Sequence, residues 1–161
     1  MFFRVGGSLF LLAFGLLLSR GLVRAEEDRV RQTEGFLLLL RHARTSISCF
    51  RTPLRDIWQS FENRALAECG FLPLLQRDGF SAALIAASPH LYLGKEDLRL
   101  LTSFGYEIGK SRFEEQITLC NYTVERLEAS YARCVEEVPA RRRTVGTVVM
   151  TGTLMLILVL L

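Results

Sequence analysis

The sequence predicts an all-α fold: a membrane-anchored helical bundle with long antiparallel helices and one transmembrane helix at each end. Three observations carry that prediction. The stretch Val145 to Leu161 contains no Asp, Glu, Lys, Arg, His, Asn or Gln, and Phe2 to Ser19 carries Arg4 as its single charge. Between them, Phe113, Ile117, Cys120, Val124, Leu127, Tyr131, Cys134 and Val138 recur at spacings of 4 and 3 in strict alternation, the period of a packed helix face.

The two apolar ends are read as spans. At the helical rise per residue, 145–161 reaches about 25 Å, the short end of what a bilayer core requires. A soluble helix with that composition would have no polar face for water. The first stretch has two readings. Val23-Arg24-Ala25 would fit signal-peptide cleavage before Glu26, giving an exported surface protein with a C-terminal anchor; the alternative is an uncleaved anchor. The arginines decide for the anchor, because positive residues stay on the cytoplasmic side. Arg20, Arg24, Arg29 and Arg31 follow the first span, and Arg141, Arg142 and Arg143 precede the second. The expected organisation is a transmembrane helix over 2–19, a cytoplasmic helical domain over 20–143 and a second transmembrane helix over 145–161, with the sequon Asn121-Tyr122-Thr123 incidental.

Composition excludes several functions. The net charge is +3, and the arginines flank the apolar ends or alternate with acids, so no basic stripe exists to bind nucleic acid. Cys49, Cys69, Cys120 and Cys134 include no CxxC pair and are expected to be free thiols in a reducing compartment. The two histidines, His42 and His90, have no second ligand at metal spacing, and Leu93-Gly94-Lys95 lacks the glycine and hydroxyl of a phosphate loop. Glu114-Glu115 and Glu136-Glu137 point in different directions on a helix and read as solvated faces. The sequence therefore argues against an enzyme, and no cofactor is expected.

In the middle region, Phe36, Leu40, Ala43, Ile47 and Phe50 mark the packed face of a first helix, which Gly35 weakens slightly. Thr52-Pro53-Leu54 reads as a break and restart, with Thr52 as N-cap and Pro53 at the first helical position. Ile57, Trp58, Phe61 and Leu66 follow on a second helix. Short pieces over Phe71 to Arg77 and Phe80 to Ala87 are punctuated by Pro73, Asp78-Gly79 and Ser88-Pro89. After Gly94, acids open a helix whose face is Leu98, Leu101, Phe104 and Ile108, and Gly109 is expected to end it in the left-handed conformation. Ser111 is expected to cap the last helix, with Glu114 completing a capping box. The first and last helices each present a seam, so the expected architecture is an antiparallel pair closed at its far end by the shorter helices. Pro139 is expected to kink the last helix where it continues toward the membrane.

Two apolar ends, a helical middle, Thr52-Pro53-Leu54, and then Leu101-x-x-Phe104-Gly105-x-x-Ile108-Gly109-x-Ser111-x-x-x-x-Gln116 resemble the stage III sporulation protein AB family, over essentially the whole chain. The resemblance implies a protein of endospore-forming bacteria, in the mother-cell membrane around the forespore. It implies a place in the stage III A channel-like complex beside a cytoplasmic ATPase, sporulation protein AA, with self-association left open. It also implies likeness to the inner-membrane platform proteins of type II secretion and type IV pilus systems, which have no active site. A platform subunit of another such system is the nearest alternative. The motif from Leu101 to Gln116 reads as a structural corner, with a partner-binding patch as the competing reading.

Overall fold

In the computed structural model, residues 2–110 and 112–160 are described, without the side chains of 2–20, 22–23, 138, 140–143, 145–146, 149–150, 153–154 and 156–160. The described residues form helices joined by short connections, with no strand among them. The elements are α1 (Phe2–Phe50), α2 (Leu54–Ser60), α3 (Arg64–Glu68), α4 (Phe71–Asp78), α5 (Phe80–Ala87), a 3-10 turn (Ser88–His90), α6 (Lys95–Glu107) and α7 (Phe113–Leu160).

Local chemistry sets most of these boundaries. Asn63 caps α3 by accepting the Leu66 amide on Oδ1 at 3.1 Å. Gly70 (φ 78) and Gly79 (φ 85) take conformations closed to most side chains, and they divide the stretch from Arg64 to Ala87 into α3, α4 and α5. Glu96 and Asp97 occupy the first turn of α6, where the helix dipole favours acids. Helix α7 keeps Pro139 within its span and continues to Leu160.

The break after α1 differs from expectation. Arg51 takes the left-handed conformation (φ 50) and its amide bonds the Ile47 carbonyl at 3.1 Å, while the Thr52 amide reaches Ser46 at 3.3 Å. Thr52 thus belongs to the outgoing end of α1, and Pro53 (φ −58, ψ 141) is the N-cap of α2, its carbonyl accepting the Asp56 and Ile57 amides.

The chain divides into two compact units, one of Met1–Glu27 with Val135–Leu161 and one of Asp28–Cys134. Among the described residues, no helix is long and apolar enough to cross a membrane. The apolar side chains of 2–19, nearly all of those in 145–161, and Arg20, Arg141, Arg142 and Arg143 lie outside the described residues; Arg24 is described and exposed.

Within Asp28–Cys134, α1 and α7 run antiparallel. Arg41 Nη2 donates to Glu128 Oε1 at 2.6 Å and Arg44 Nη1 to Asn121 Oδ1 at 3.5 Å, so positions rise on one helix as they fall on the other. Phe36, Leu40, Ala43 and Ile47 of one periodic face are buried, as are Cys120, Val124, Leu127 and Cys134 of the other. Phe50 is the exception on α1: it is 75% exposed at the residue where the helix ends.

The shorter helices do more than close the far end of this pair. They pack along the side of α1, with Phe36 edge-on to Phe71 at 4.7 Å and Phe61 tilted against His42 at 5.6 Å. A Cβ on Gly35 would lie 2.9 Å from Asn63 Oδ1 and 3.0 Å from Leu66 Cγ, so the glycine is a notch into which the start of α3 fits. An aromatic series then crosses the core, Phe36–Phe71–Phe80–Phe104, with Trp58 5.8 Å from Phe80. These edge-to-face contacts add specificity to the burial that dominates stability.

Candidate functional site

The motif from Leu101 to Gln116 covers the end of α6 and the start of α7. Leu101, Phe104 and Ile108 lie on one buried face. Phe104 meets Phe80 at 5.1 Å, and a Cβ on Gly105 would stand 2.6 Å from Phe80 Cδ1. Gly105 is therefore required by close approach of α5 rather than by its own backbone conformation.

Gly109 does not act as a left-handed cap. The described positive-φ residues are Arg51, Gly70 and Gly79; α6 instead unwinds through Ile108 (φ −57, ψ −34), and the Lys110 amide bonds the Glu107 carbonyl at 2.9 Å. A right-handed turn suffices to redirect the chain, so the special freedom of glycine is not called on. The expected Ser111 cap falls outside the described residues. The reciprocal half of a capping box is present one register later than expected, where Glu115 Oε2 accepts the Arg112 amide at 3.0 Å. The Gln116 amide bonds the Arg112 carbonyl at 2.9 Å, and its side chain is half-buried. Of the earlier triplet, Thr52 and Leu54 are half-buried and Pro53 is exposed.

A second polar cluster had no clear signal in the sequence. Gln32, 5% exposed, holds the segment after the 3-10 turn by its main chain, donating Nε2 to the His90 carbonyl at 3.2 Å and accepting the Tyr92 amide on Oε1 at 2.7 Å. Asp97, 5% exposed, accepts the Ser130 hydroxyl at 2.9 Å, which ties α6 to α7. A Cβ on Gly94 would lie 3.0 Å from Arg29 Nη2 and 3.2 Å from Asp97 Oδ2, so the bare glycine admits both groups. Asp97 reads from sequence as a first-turn acid, and Ser130 falls between seam positions; only their burial reveals the pairing.

Beside Gln32 is an open depression of about 260 Å³ lined in part by Asp28, Arg31, Glu68, Cys69, His90 and Tyr92. Among the described residues, no group of His, Cys, Asp and Glu is placed to hold a metal ion. His42 Nε2 lies 3.3 Å from Ser60 Oγ, and that hydroxyl is also bonded to the Ile57 carbonyl. The four cysteines form no disulfide. Burial raises the Cys69 thiol, and it pushes Cys120 up to about 11 against the opposing pull of Arg44. Both are neutral packing groups at physiological pH rather than thiolate nucleophiles.

The geometry is that of a packed helical bundle, with the motif residues described above placed in packing and at helix ends. The sequence model of stage III sporulation protein AB matches residues 76–161, just over half of the chain. The chain belongs to the stage III sporulation protein AB family. In this family member the match takes in α5 through α7 and so includes Phe80, Gly105, the polar pair Asp97–Ser130 and the whole Leu101 to Gln116 corner. Comparison with curated proteins and with solved structures gives no match.

Proposed function

We propose that this stage III sporulation protein AB family member is a non-catalytic, membrane-anchored platform subunit of the stage III A complex between mother cell and forespore. Residues 2–19 and 145–161 are its membrane spans, the helical region between them is cytoplasmic, and that region docks the cytoplasmic ATPase, sporulation protein AA. The single observation that carries this reading is the family match over 76–161. The uncharged run from Val145 to Leu161 and the arginines flanking both apolar stretches support the anchored topology.

The test uses the full-length chain in membranes. It is expected to stay with the membrane fraction, to report a cytoplasmic location when a cytoplasm-only reporter is inserted after Gly109, and to retain the purified ATPase. An inactive reporter in a stable fusion would overturn the topology. A wild-type chain, folded and inserted, that fails to retain the ATPase would overturn the docking role.

A further inference from the structure

We draw no further inference here: the strongest candidate, the uncharged outer face of α5 on which Ile85 is 70% exposed between the exposed Ala82 and Ala86, carries nothing because no feature of the structure shows what covers it.

Discussion

Phe80 occupies the space that a side chain at Gly105 would need: a Cβ there would lie 2.6 Å from Cδ1 and 3.3 Å from Cε1 of the ring. The ring cannot easily yield, since Phe71, Trp58 and Phe104 contact it at centroid distances of 5.6, 5.8 and 5.1 Å. Gly105→Ala is therefore expected to destabilise the fold by about 1–3 kcal/mol, the usual cost of overpacking, despite a gain of about 1 kcal/mol in helix propensity. Thermal or denaturant unfolding checks this. Phe80→Leu should recover part of the loss in the double variant, showing as coupling between the two sites.

The tether made by Gln32 predicts a local effect. Gln32→Ala removes two hydrogen bonds to the main chain and leaves the His90 carbonyl and Tyr92 amide without that partner. Faster hydrogen exchange at Tyr92 is expected, with a global cost of about 1–3 kcal/mol. Unchanged exchange at Tyr92 would show that the segment is held by other contacts.

Asp97 and Ser130 are expected to differ when removed singly. Ser130→Ala deletes one neutral donor and should cost about 1 kcal/mol, whereas Asp97→Ala strands a buried hydroxyl and removes a buried carboxylate, costing more. Denaturant titration of both variants and of the double variant reads the coupling.

Cys120 gives a pH prediction. Burial raises its folded pKa from 9.0 to about 11, so the folded state holds the proton more tightly than the unfolded state. The stability from this neutral thiol is fully present below pH 9 and is lost as pH rises toward about 11. A Cys120→Ala chain should show a shallower alkaline loss of stability than wild type. Alkylation of the native protein at pH 8 should label exposed Cys49 well before Cys120.

Much of the helical layout was legible because it depends on period and punctuation. The 4, 3 spacing located the buried faces of α1 and α7, and Asp78-Gly79 marked the junction of α4 and α5. What was not legible depends on residues distant in sequence. Gly35 reads as a helix-weakening position and Gly105 as one residue of a motif, until Asn63, Leu66 and Phe80 are seen to fill the space beside them. The polar contacts were hidden for the same reason, since Gln32 lies 58 and 60 positions from its two partners. Helix ends shifted by a residue where the chain had two adequate solutions, as at Thr52-Pro53 and at Glu114-Glu115.

Because Gln32 grips only main-chain atoms, it specifies where the segment around His90 and Tyr92 lies without specifying which side chains it carries. Those exposed positions can be exchanged while their placement beside α1 is kept. The tether thus separates framework from display: related chains can diversify this stretch at little cost to folding.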